Sequence, residues 1–230
     1  MAFGQRQILF ENAEDKIRRY NQLCLHYNLV ADAVYQELRD SRAPFSSNYE
    51  PYLIAALISF DMGRMMGKGL AQRCDVGAGG FATRLHRKLT QIQPYLTPII
   101  TSNLMGVSIE EHKASIVAAY NTLASGGEEG LNNQGNEFHV GATKILHFLN
   151  PELFAIIDGN IAKILRSVCK IPYRDMGQPG YSSDLYIQSL FAIRDLIANH
   201  GIDRFRSLES GTPLIRIFDK IAFAVNAFTA

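Results

Sequence analysis

Apolar residues in this chain recur three and four positions apart, and nowhere do they alternate with polar ones over a sustained stretch bounded by hairpin turns. That pattern excludes a sheet-based fold and predicts an all-α, multi-helix globular protein. Residues 8–40 carry one such series, from Ile8, Leu9 and Ala13 through Ile17, Tyr20 and Val34 to Leu38, with Asn28 expected to bend or divide it. A second helix is expected over Tyr49–Leu70, ending at Gly67-Lys68-Gly69. After the glycine-rich turn 75–80, residues 81–94 read as a basic amphipathic helix, with Pro94 and Pro98 punctuating the link beyond. Ser108-Ile109-Glu110-Glu111 has the form of a capping box and opens a helix to about Ala124. A polar loop over 125–137, a loop over 171–183, and helices near 184–199 and 212–228 complete the chain, Asn199-His200-Gly201 stopping the first of that last pair.

Composition bounds the class. Hydrophobic residues at 47% and charged residues at 20% match an ordinary globular chain, and 230 residues suffice for one sizeable core. The chain is expected to form a single all-helical domain, 1–230, with a division into lobes 1–125 and 126–230 left open. No apolar run is long enough to span a bilayer, and the N-terminus lacks a signal-peptide core, so a cytoplasmic protein without membrane association is expected. Three cysteines, Cys24, Cys74 and Cys169, are too few and too scattered for a disulfide framework or a metal site, and are expected as buried thiols. The net charge of +1 exerts no global pull on nucleic acid, so DNA binding requires a local basic face.

Residues 138–166 concentrate the chemistry. Gly141 is expected in a turn that opens a short apolar helix carrying Lys144, and Asp158 stands at the N-cap position of the next helix after the apolar run 153–157. An amine in an apolar setting is a nucleophile, and a carboxylate stabilises the positive charge that develops on a sugar when an N-glycosidic bond breaks. Backbone N–H groups near Gly141 would suit a phosphate at a helix N-terminus. A base lifted from a duplex needs aromatic walls, for which Phe138, Phe148, Tyr52, Phe60 and Tyr181 are candidates. Simpler readings stand beside these. Asp158 can be a plain N-cap, and Lys144 a first-turn lysine that reaches solvent from an apolar face.

The segment Val140-Gly141-Ala142-Thr143-Lys144, followed by Phe154-Ala155-Ile156-Ile157-Asp158-Gly159-Asn160-Ile161, resembles the centre of the helix-hairpin-helix DNA glycosylase superfamily. The resemblance covers about thirty residues. It implies a helix-hairpin-helix-like element near 130–150, a DNA-repair hydrolase acting on a flipped base, and lyase activity where a lysine nucleophile is present. Asp158 would be the family's aspartate and Lys144 its nucleophile. The family's second turn glycine aligns with Gly141, but its first is replaced by His139, and Thr143 rather than Lys144 falls at the usual place of the lysine. Members without that lysine use water. No four-cysteine iron–sulfur motif is present, and no cofactor is expected.

DNA would be tracked by Gly141 and Thr143 and by the basic groups Arg64, Lys68 and Arg73 and Arg84, Arg87 and Lys88, with Lys163, Arg166, Lys170 and Arg174 extending the face. His139 and His147 lack a carboxylate at ligand spacing, so no metal is expected. The alternative function is a non-catalytic helical module on a glycosylase-like scaffold, binding nucleic acid or a protein. Oligomeric state is left open.

Overall fold

The computed structural model describes residues 8–60, 80–132, 136–174 and 180–227. These form helices α1 (Ala13–Leu23), α2 (Leu25–Ser41), α3 (Glu50–Phe60), α4 (Phe81–Leu96), α5 (Ile109–Ala124), α6 (His139–Leu149), α7 (Gly159–Cys169), α8 (Ser183–His200), α9 (Ile202–Ser207) and α10 (Leu214–Ala227), with a 3-10 turn at Thr97–Ile99. No strand occurs among the described residues, and none of their helices is long and apolar enough to cross a membrane. The protein is all-α.

The chain divides into two compact units that do not follow its order. The first comprises Met1–Leu25, Ser102–Lys113 and Pro151–Ala230, and the second His26–Thr101 and Ala114–Asn150. In the first, α10 runs along α1 and α7 and touches α8 and α9. Its interior holds Ile17, Tyr20, Ile161, Leu165, Leu190, Ile193, Phe205, Phe218 and Ile221, all buried. In the second, α3 packs on α6, with Leu53, Ala56, Ile145, Leu146 and Phe148 buried. There the buried Tyr49 hydroxyl donates to the Phe148 carbonyl, and Asn150 donates to the Ile99 carbonyl at 3.4 Å. Burying each of the leucine, isoleucine and phenylalanine side chains contributes roughly 1.5–3 kcal/mol, which is why the helical period dominates the sequence.

Several local expectations need correction. The first helical series divides at Cys24, whose N–H closes α1 on the Tyr20 carbonyl at 2.8 Å, and Asn28 lies inside α2. No glycine, proline or capping side chain marks the break, so packing rather than propensity imposes it. Helix α4 runs through Pro94 to Leu96. The proline falls in the last turn, where its missing N–H forfeits one helical bond, and Thr97 closes the end by donating from both N–H and hydroxyl to the Gln93 carbonyl. Gly141 opens no turn ahead of a helix. It lies in the first turn of α6, which begins at His139. Helix α9 was not expected, because Gly201 (φ 96°) reads as a stop yet serves both as the C-cap of α8 and as the N-cap of α9. The predicted continuation of α3 to Leu70 lies outside the described residues.

Other signals were sound. Ser108 Oγ accepts the Glu111 N–H at 3.4 Å at the head of α5, and the helix ends at Ala124. Asp158 caps α7, and α8 and α10 lie where periodicity puts them.

Candidate functional site

Asp158 follows the buried run Leu153–Ile157, within which the Ala155 carbonyl accepts from the Tyr186 hydroxyl at 3.3 Å. Extended backbone at Asp158 (φ −96°, ψ −175°) turns its carboxylate back over the first turn of α7. One oxygen, Oδ1, accepts from Asn160 N–H at 2.9 Å and from Ile161 N–H at 3.0 Å. The side chain is thereby oriented by two backbone donors at a helix N-terminus. A bond from Asn226 Nδ2 to the Asn160 carbonyl, 2.8 Å long, ties this turn to the far end of α10.

Beside Asp158 lies a group of charges that the sequence reading did not single out. Arg216, on the largely apolar α10, is 2% exposed. Its guanidinium donates to the Asp219 carboxylate one turn on and to the Tyr20 hydroxyl at 3.0 Å, and it lies over the Tyr20 ring, 5.1 Å from the centroid. Burial pushes the Asp219 carboxyl up to about 6 against the pull of Arg216, and the negative charge of Asp158 adds to the rise. Burial likewise raises the Tyr20 hydroxyl far above its usual range. On the next position, Lys220 Nζ meets both Glu209 oxygens at 2.8 and 2.7 Å, and Asn21 donates to one of them at 2.8 Å. The signal was available: Arg216 and Asp219 fall three apart on a helix whose neighbours are Ile215, Ile217, Phe218 and Ile221. Charges in such a setting need each other.

Lys144 belongs to the second unit and Asp158 to the first. On α6, Lys144 is 8% exposed and its Nζ donates to the Phe60 carbonyl at 2.8 Å, where the described part of α3 ends. Thr143 is 1% exposed, its hydroxyl donating to the Val140 carbonyl at 2.8 Å. Gly141 is buried beneath the Phe138 ring, which a Cβ at that position would overlap. The glycine therefore admits an aromatic ring against the helix, a role different from positive φ.

His139 bonds Glu137 at 2.8 Å and the Tyr120 hydroxyl at 3.1 Å, and the fully buried His147 bonds the Tyr35 hydroxyl at 2.6 Å. Both histidines thus have protein partners. Among the described residues no cluster of His, Cys, Asp and Glu is arranged to hold a metal ion. Cys24 is a buried free thiol and Cys169 a half-buried one, while Cys74 lies outside the described residues.

The basic groups fare unevenly. Arg64, Lys68 and Arg73 lie outside the described residues. On α4, Arg84 is half-buried, Arg87 pairs with Glu129 at 2.6 Å, and Lys88 is 7% exposed with its amine turned onto Ser125. His86 bonds Glu50 at 2.7 Å, so α4 presents a largely paired surface. In the unit that holds Asp158, Lys163 of α7, Lys170 at its C-cap and Arg174 beyond it are exposed. Of the candidate aromatic walls, Phe148 is fully buried and packs on Phe60 with ring centroids 5.3 Å apart. Tyr52 is 39% exposed, and Tyr181 lies against Tyr173 at 5.4 Å in the first unit.

Comparison with known proteins finds no matching family model, no matching curated protein and no matching solved structure.

Proposed function

We propose that the protein is a DNA N-glycosylase-like hydrolase that releases a flipped base with water as the nucleophile and Asp158 as the electrostatic stabiliser. The observation that carries this reading is the Asp158 carboxylate, half-buried and oriented by two amides at the start of α7, in a segment resembling the one that presents the glycosylase aspartate. One oxygen is fixed by the backbone, which aims the group at a developing charge without reorganisation during the reaction. As the glycosidic bond lengthens, positive charge grows on the sugar, and a fixed carboxylate lowers the energy of that state more than of the ground state.

Two observations support water over an amine. Thr143 occupies the usual lysine place, and the Lys144 amine is engaged with the Phe60 carbonyl. The exposed Lys163, Lys170 and Arg174 supply phosphate contacts in the same unit.

Duplex oligonucleotides carrying a panel of damaged bases provide the test. We expect heat-labile abasic sites to accumulate, no borohydride-trapped adduct, and a loss of about 100-fold or more in Asp158→Asn, within the range seen when a preorganised electrostatic group is removed. Unchanged base release in that variant would overturn the role of Asp158. A trapped adduct lost in Lys144→Ala would restore the lysine mechanism. The paired charges of α4 and the complete N-cap geometry of Asp158 favour a second reading, a non-catalytic binding module. Salt-sensitive DNA binding without release of any base in the panel would establish it.

A further inference from the structure

Within the second unit, one lysine and one serine lie in an arrangement that the function above does not use. Lys88 projects from α4 between the buried Leu85 and Leu89 and is 7% exposed. Its Nζ stands 2.6 Å from Ser125 Oγ, which is exposed and lies one residue past the end of α5. Among the described residues this is the only hydrogen bond the amine makes. An ammonium has three donors and is costly to bury with one hydroxyl for company, so the site disfavours the charged form relative to an exposed lysine. Burial accordingly pushes Lys88 below the usual lysine range, with the Glu129 carboxylate acting in the opposite sense. That carboxylate is shared with Arg87, whose Nη1 donates to it at 2.6 Å.

We propose that Ser125 and Lys88 form a nucleophile–base dyad that transfers acyl groups from small carboxylic esters. At 2.6 Å the hydroxyl is within reach to donate its proton to a neutral amine, which is how a serine is activated when lysine replaces histidine as the base. The hydroxyl otherwise donates to the Thr122 carbonyl at 3.0 Å, one turn back, so a modest rotation about the Cβ–Oγ bond selects the reactive form.

The chain that follows supplies the remaining parts. Gly126 and Gly127 carry no side chain to block an approaching carbonyl, and their N–H groups make no hydrogen bond among the described residues. They are available to a tetrahedral oxyanion. Gly127 adopts φ 85°, and Gly130 N–H closes the turn on its carbonyl at 3.0 Å. A Cβ at Gly130 would come within 2.9 Å of the Gly127 carbonyl oxygen, whereas one at Gly127 would meet nothing within 4 Å, so the turn is tight on one side and open at Gly127.

In the first step Ser125 Oγ bonds to the ester carbonyl carbon while Lys88 Nζ takes the hydroxyl proton. Collapse of the tetrahedral intermediate breaks the bond to the alcohol, which leaves with the proton returned by the ammonium. Water then attacks the acyl-serine, its proton passing through the same amine, and the carboxylic acid departs with Ser125 restored. Ser125 stands at the surface, so a small, unhindered ester can reach its hydroxyl.

The full-length chain mixed with p-nitrophenyl acetate tests this, with stopped-flow absorbance and peptide mass mapping as readouts. We expect a burst of about one nitrophenolate per chain, with the acetyl group on Ser125, as a serine acyl-enzyme requires. Ser125→Ala should abolish the burst. Lys88→Met should slow it by about 100-fold or more, the usual span for loss of a general base, and should remove the acid limb of its pH profile. Lys88→Arg keeps a cation and a donor but supplies no base, so a folded but slow Lys88→Arg protein separates chemistry from packing. No acetyl group on Ser125, acetylation of Lys88 itself, or an unchanged burst in either lysine variant would each overturn the proposal. The dyad is independent of Asp158, and failure of one reading leaves the other standing.

Discussion

At the residue scale, Asp158 does two things that substitution can separate. Asparagine caps a helix about as well as aspartate, whereas alanine does not, so Asp158→Ala should cost about 1 kcal/mol in urea unfolding and Asp158→Asn only a few tenths. If Asp158→Asn keeps its stability and loses base release, the carboxylate has a role beyond the cap. Arg216 is the more exacting residue. Removing it in Arg216→Met strands Asp219 in the interior, and breaking a buried pair from one side costs about 3–5 kcal/mol, which a shift in urea midpoint will report. The pH dependence follows from Asp219, whose carboxyl rises from an ordinary 3.8 to about 6 on folding. The folded state then binds this proton more tightly than the unfolded chain does. The stability from this group is therefore full below pH 4 and is lost as pH rises toward and through about 6. Asp219→Asn should flatten that part of the curve, as melting temperatures of both proteins between pH 4 and 7 will show.

At the element scale, helix α6 shows how a glycine is selected by a neighbour. Gly141 lies under Phe138, and a methyl group there would overlap the ring. Gly141→Ala should destabilise by about 1–3 kcal/mol, the usual cost of overpacking. Adding Phe138→Ala should recover part of that loss, and the double-mutant cycle measured by urea unfolding gives the coupling. Helix starts that carry side-chain chemistry were legible at Ser108 and Asp158, each of which accepts an N–H of the turn it opens, whereas the equivalent cap at Ser182 was not singled out. Where no such chemistry exists, the boundary was hidden. The break at Cys24 lies between ordinary helix formers, and Pro94 is tolerated because only the last turn of α4 remains beyond it. Both reflect tertiary packing overriding weak local preference.

At the scale of the molecule, the two compact units interleave along the chain. A cut between residues 125 and 126 leaves each piece with part of both units, since the second unit draws on 26–101 and 114–150. Fragments 1–125 and 126–230, expressed separately, should therefore remain largely unfolded, with collapsed amide dispersion in NMR spectra. Two fragments that each gave dispersed spectra would overturn this reading of the architecture.

Periodicity, capping signals and composition by themselves determined that the chain is all-α, that no described helix spans a membrane, and that Asp158 opens a helix. These are local matters, decided within a few turns of backbone by spacing and by side-chain competition for N–H groups. The tertiary structure decided what the charged side chains meet. It turned Lys144 onto the Phe60 carbonyl, Lys88 onto Ser125 37 positions away, and Arg216 onto Tyr20 at a separation of 196. A charge read in sequence carries only its sign. Its partner and its burial, which set whether it binds, reacts or holds the core together, exist only once distant segments pack against one another.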